Sequence, residues 1–185
     1  RPYQEDAAAA FWASGTVQGG SGVLVLPCGS GKTMIGMAAI AKASARTLIL
    51  VTSVTAAHQW KDELLDKTTL TASEIGEYSG GRKEVRPVTI ATYQVMTHVQ
   101  RDADRREHFP HLELFNRENW GLIIYDEVHL LPAPVFRITA EIQARRRLGL
   151  TATLVREDGR EEDVFALVGP KRFDVPWRDL EAQGW

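Results

Sequence analysis

Short apolar runs separated by longer stretches with helical spacing dominate the chain. Residues 22–26 read GVLVL, 47–51 TLILV, 88–91 VTIA, 122–125 LIIY and 147–150 RLGL. Most of these runs are apolar on successive positions, so each predicts a strand covered on both faces. Between them, helices are predicted over 31–45, with Met34, Met37, Ala38 and Ala41 at helical spacing, and over 56–65, carrying Trp60, Leu64 and Leu65. A short helix is predicted near 93–98 and another over 135–142. Covered strands alternating with helices predict an α/β fold, a mostly parallel sheet between helix layers. Such sheets bind ligands at the carboxyl ends of their strands. Three chemically informative segments fall there: after Leu26, after Tyr125 and after Leu150.

Length and charge narrow the picture. A chain of 185 residues suits one domain with a full core. Two charged stretches fit the core less well. Residues 101–119, interrupted by Pro110, predict an exposed insertion, and 156–163 predict a solvated face or loop. The composition is 44% hydrophobic and 25% charged with a formal net charge of -2, so there is no global basic signal for nucleic acid. Any DNA contact would come from local patches, backbone amides and neutral side chains. A single cysteine, Cys28, excludes an internal disulfide and suits a reducing compartment. No apolar run approaches the roughly 20 residues that span a bilayer, so no membrane partner is expected. The chain opens inside a motif and closes without a clear stop, which reads as a segment of a longer protein.

Pro27-Cys28-Gly29-Ser30-Gly31-Lys32-Thr33 joins a strand to a helix. Glycines let the backbone turn several amides toward one phosphate cluster, and the helix start adds its dipole. Lys32 can reach the β- and γ-phosphates, and Thr33 can offer a hydroxyl to Mg²⁺. The general phosphate-loop pattern places a glycine where this chain has Leu26. A glycine-rich turn with an incidental lysine is the competing reading, and the strand–loop–helix context opposes it. Cys28 is read as a small side chain tolerated in the loop, without a catalytic role.

Asp126-Glu127-Val128-His129 follows LIIY. Asp126 can hold Mg²⁺ through its water shell, and Glu127 can position or deprotonate an attacking water. Taken alone, two acids before a helix could equally be a helix N-terminal charge pair. The phosphate loop earlier in the chain favours the catalytic reading. His108 and His111 stand three apart with Pro110 between them and no third ligand, which argues against a metal site.

The series RPYQ (1–4), PCGSGKT (27–33), VTSVTAAHQW (51–60), ATYQ (91–94), DEVH (126–129) and LTAT (150–153) resembles the first half of a superfamily 2 helicase core. Arg156-Glu157-Asp158, within GLTATLVRED, resembles the RED element of the XPB family. The resemblance runs from Arg1 to about Trp177. It implies a RecA-like three-layer α/β/α lobe that binds ATP and Mg²⁺, working in DNA repair, and in transcription in relatives, with implied 3′-to-5′ movement. It implies that Arg1, Tyr3 and Gln4 frame and read the adenine, and that His129, Thr151 and Thr153 couple phosphate state to lobe movement. Thr52, Ser53, Gly80, Gly81, Arg82, Thr92 and Tyr93 are implied strand contacts, and Arg156, Glu157 and Asp158 a fork element. Trp60 is read as core rather than as a base stacker. A second RecA-like lobe and DNA are the implied partners, and a nuclease or repair factor is compatible with them. The implied setting is a bacterial cytoplasm near the nucleoid, or a nucleus in a eukaryote. The motor of a restriction enzyme, another superfamily 2 translocase, a non-hydrolysing ATP-gated module and a small-molecule kinase stand as alternatives. Intact Lys32, Asp126 and Glu127 argue against the module, and ATYQ argues against the kinase.

Overall fold

A computed structural model of the chain describes residues 2–12, 19–102, 105–131, 133, 137–153, 161–176 and 178. In chain order the elements are α1 (Pro2–Trp12), β1 (Ser21–Val25), α2 (Lys32–Ala43), β2 (Thr47–Val51), α3 (Val54–Lys67), β3 (Ile75–Tyr78), β4 (Val88–Thr92), α4 (Tyr93–Met96), β5 (Gln100–Arg101), β6 (Glu107–His108), α5 (Pro110–Asn116), β7 (Trp120–Asp126), β8 (Ala144–Thr151), α6 (Glu161–Val168) and β9 (Lys171–Asp174). Two 3-10 turns, Val128–Leu130 and Ile138–Glu141, lie between β7 and β8.

Seven strands form one sheet in the order β3-β4-β2-β7-β8-β1-β9, every neighbouring pair parallel. β5 and β6 make a separate antiparallel pair. The successive apolar residues of each strand divide between two cores. Leu24, Ile49, Val51, Ile124 and Leu148 pack beneath α1, α2 and α3. Val23, Val25, Leu48, Leu50, Ile123 and Tyr125 pack beneath α4, α5 and α6. That division explains why the strands read as unbroken runs rather than alternations. Because all seven strands run the same way, every carboxyl end reaches one edge of the sheet.

The expected strands are all present: β2 matches its run, β1 lies one residue earlier than its run, and β4, β7 and β8 are longer than theirs, while the helices expected over 31–45, 56–65 and 93–98 lie where the spacing predicts. The buried face of α2 differs. Met34 is 40% exposed and Ala41 is exposed, while Ile35, Met37, Ala39 and Ile40 are buried. This helix is apolar nearly all round, so periodicity alone does not select its inner arc. On α3, Trp60 and Leu64 are buried but Leu65 is exposed. The helix predicted over 135–142 is, where described, the 3-10 turn at Ile138–Glu141. Within the charged stretch 101–119 only the first part is an exposed hairpin. Pro110 opens α5 at its first turn, where a missing N–H costs nothing, and Leu112 and Phe115 are buried.

Arg147 ties the acidic end of β7 to the loop that follows it. Its guanidinium donates to the Tyr125 hydroxyl at 2.9 Å and to the carbonyls of Ala140 and Ile142 at 2.8 Å each. Arg147→Leu removes one charged donor from three acceptors and should lower stability by about 2–4 kcal/mol, read from urea unfolding. Two buried tyrosines set an alkaline limit. Burial pushes the Tyr125 hydroxyl up to about 12, with Arg147 opposing. Burial pushes Tyr93 well above 10, helped by Tyr125, Asp126 and Glu127. In the unfolded chain both ionise near the ordinary value of about 10, so the folded form binds the protons more tightly. The contribution is whole below about pH 10 and is lost as pH rises from there toward 12. Urea midpoints measured across that window should fall.

Candidate functional site

β1 continues into Leu26, whose side chain is fully buried and whose N–H donates to the Thr151 carbonyl at 2.9 Å. The turn itself lies beyond, in residues 27–31, so the position of Leu26 needs no glycine. Gly29 and Gly31 have φ of 76° and 84°, the left-handed region that side chains resist. Gly31 caps α2 without any side-chain hydrogen bond. In the first turn the Met34 N–H donates to the Gly31 carbonyl at 3.0 Å, and the amides of Lys32 and Thr33 remain for an anion. A Cβ on Gly29 would meet nothing within 4 Å, so the cradle is open on that side. A Cβ on Gly31 would sit 2.4 Å from Gln4 Nε2. The Tyr3 hydroxyl and the Gln4 amide both donate to the Ser30 carbonyl, at 2.5 and 2.9 Å. α1 thus clamps the loop from behind.

Asp126 and Glu127 face this loop. Lys32 Nζ lies 3.6 Å from Glu127 Oε1. Glu127 has φ 55° and ψ 51°, a conformation that costs a non-glycine residue free energy and is common where function holds it. His129 Nδ1 is 3.4 Å from Glu127 Oε2 and 2.9 Å from Thr151 Oγ1. The Thr151 hydroxyl donates to the Thr153 carbonyl at 2.7 Å, so its lone pair is what it offers the imidazole, and Nδ1 carries the hydrogen. The Tyr93 hydroxyl donates to the Asp126 carbonyl at 3.1 Å. Trp60 Nε1 donates to Asp126 Oδ2 at 2.9 Å. Burial pushes the Asp126 carboxyl above the ordinary carboxylate range; the Trp60 hydrogen bond and Lys32 pull it down, and Glu127 pushes it up.

A cleft of about 410 Å³ joins these parts. Cys28, Gly29, Gly31, Lys32 and Thr33 line one wall, and Asp126 and Glu127 another. The third wall is α3, through Gln59, Trp60, Glu63 and Lys67, which the sequence reading did not assign to the site. Among the described residues no cluster of three or more His, Cys, Asp or Glu forms a closed metal cage. The donors here are a hydroxyl and a carboxylate beside an uncapped helix start. That set fits a magnesium ion held largely by water and phosphate oxygens rather than by a protein cage.

The proposed strand contacts divide. Gly80 and Thr92 line a second cleft of about 450 Å³ at the ends of β3 and β4, together with Lys83 and Gln94. Gln94 Nε2 donates to the Thr52 carbonyl at 2.7 Å, and Ser53 caps α3 by accepting from the Ala56 N–H at 3.1 Å. Gly81 is exposed, and Arg82 lies 3.6 Å from the buried Glu77. Tyr93 stands apart: it is fully buried and its hydroxyl donates to the Asp126 carbonyl, so its side chain supports the acidic turn. Arg1, Arg156, Glu157 and Asp158 lie outside the described residues.

The family model described as ResIII, "Type III restriction enzyme, res subunit", matches residues 1–156. That description alone would also suit the restriction-motor reading. The chain is 67% identical over its whole length to a protein named DNA 3'-5' helicase XPB from Kineococcus radiotolerans. It is 65% identical, again over its whole length, to one of the same name from Mycobacterium tuberculosis. The chain belongs to this family, on its XPB branch. It spans about a third of these XPB relatives, 31% and 32% of their lengths. The crystal structure of the Pyrococcus furiosus Hef helicase domain matches with a TM-score of 0.73 at 20% identity, covering 98% of this chain and 39% of that one. This XPB-family chain thus shares the α/β fold of that helicase domain. Among the described residues no helix is long and apolar enough to cross a membrane.

Proposed function

We propose that this lobe binds ATP with Mg²⁺ and, joined to a second RecA-like lobe, drives a DNA-stimulated 3′-to-5′ helicase or translocase of XPB type in DNA repair. The observation that carries this reading is the convergence of Lys32 on the Asp126–Glu127 pair in one cleft at the sheet edge. The loop amides and Lys32 hold the phosphate oxygens. Magnesium, bound through Thr33 and the water shell of Asp126, would neutralise charge on the β- and γ-phosphates. Glu127 orients a water and accepts its proton as the water oxygen bonds to the γ-phosphorus. The bond from that phosphorus to the bridging oxygen breaks, and ADP leaves. Gln4 would read the adenine while its Nε2 keeps the loop in shape. His129 and Thr151 would carry the phosphate state from the acidic turn to the end of β8. Gly80, Thr92, Thr52 and Ser53 would line the path of a strand without reading its sequence.

Arginine fingers in this superfamily come from the second lobe and raise the rate by several orders of magnitude. The 185-residue chain alone is therefore expected to bind ATP and hydrolyse it very slowly. The test is ATPase of a two-lobe protein carrying this lobe, with and without single-stranded DNA. Stimulation by DNA supports the motor. A fast rate indifferent to DNA sinks it.

A further inference from the structure

α3 stands between the two halves of the proposed machinery. Its N-terminus follows Thr52 and Ser53 at the strand-facing edge, and its second turn carries Trp60 to the metal-binding carboxylate. The indole N–H donates to Asp126 Oδ2 at 2.9 Å, which ties that oxygen to the protein. An aspartate carboxylate turns broadly about its last torsion, so a fixed side-chain donor, acting beside the Glu127 backbone N–H, narrows how it faces. The donor is itself fixed. Trp60 is buried, and Gly36 on α2 makes room for its ring: a Cβ there would lie 2.5 Å from Cη2 and 3.2 Å from Cζ3. The phosphate-loop helix, the strand-side helix and the acidic end of β7 therefore meet at one side chain. Packing alone would need the ring but not the N–H.

We propose that Trp60 is a positioning residue. It sets the Asp126 carboxylate for magnesium and links that setting to α3, the helix that begins where the nucleic-acid strand would lie. The inference rests on the nucleotide-site reading above, in which Asp126 serves the metal.

The test uses the chain itself. ATP affinity is titrated in magnesium and in EDTA, and the ratio gives the gain from the metal. Trp60→Phe keeps a ring and removes the donor. Its affinity in EDTA should stay within about twofold of the unmutated chain. Its magnesium gain should fall about tenfold, the size of a lost hydrogen bond to a charged group. Gly36→Ala keeps the indole but displaces it, and should lower the gain in the same direction. In the proton–nitrogen correlation spectrum of the unmutated chain, the Trp60 indole cross-peak should move when magnesium joins the ATP complex. It should not move when ATP is added alone. The inference is overturned by an unchanged gain in Trp60→Phe, by equal losses with and without metal, or by an indole signal indifferent to magnesium. Should Trp60→Phe fail to fold, the indole signal and the Gly36→Ala titration decide between the same outcomes. If the unmutated chain shows no magnesium gain, or Asp126→Ala keeps all of it, the nucleotide-site reading falls and this inference with it. If those controls behave and Trp60→Phe keeps the gain, only the role of Trp60 falls.

Discussion

Glu127→Gln should lower the ATPase rate of a two-lobe protein carrying this lobe by roughly 10²–10⁴-fold, the range for loss of a general base, while ATP binding holds within about twofold. The reason lies in what the amide keeps and what it loses. Glutamine matches the glutamate in shape and can occupy the left-handed turn at φ 55° at no greater cost. Its carbonyl oxygen can keep its place beside His129 Nδ1, now 3.4 Å from Oε2. It cannot take a proton from water. The attraction to Lys32 weakens, but that pair stands 3.6 Å apart and Lys32 has phosphates to meet, so binding is spared. Steady-state hydrolysis and nucleotide titration together check this. A variant that loses binding in step with rate would make Glu127 a structural residue of the cleft.

Lys32→Ala should act earlier and weaken ATP binding about a hundredfold, as befits the loss of a charged phosphate donor. Two effects add. The β- and γ-phosphates lose a cation, and the neighbouring carboxylates lose a nearby positive charge, which leaves the cleft more negative toward the phosphates. Burial already pushes Asp126 upward, Glu127 pushes it further, and Lys32 is among the groups that oppose both. Without the lysine the Asp126 carboxyl moves higher still. The fold should survive, because the lysine packs at a cleft wall rather than inside either core. Calorimetric titration of the variant chain, with a urea curve as a control, measures both. Retained affinity would remove Lys32 from the phosphate site.

Much of this was legible in the sequence because the sheet is covered on both sides. Runs such as GVLVL and LIIY have no polar face to confuse them, and they lead directly to the phosphate loop and the acidic turn. What escaped did so for definite reasons. β3 reads IGEY, and its Glu77 is buried only because the Ser79 hydroxyl reaches it at 2.7 Å and His58 and Arg82 lie near. β9 reads KRFD and owes its place to pairing with β1. No local pattern announces either strand. Trp60 looked like core, and it is buried; its second role depends on an indole N–H meeting β7 across 66 positions of sequence. Tyr93 differs in the other direction. Its place in ATYQ at the end of β4 suggested a surface, but the chain turns into α4 there and sends the ring inward.

The carbonyl of Ser30 receives two donors from the first helix, one from a phenol and one from an amide. A nucleotide lying along this lobe would press on both sides of that oxygen, its purine near Gln4 and its phosphates on the next peptides. Exchange of the base would therefore be felt as a change of grip on pyrophosphate. The fulcrum is a backbone atom, and side-chain substitution cannot delete it.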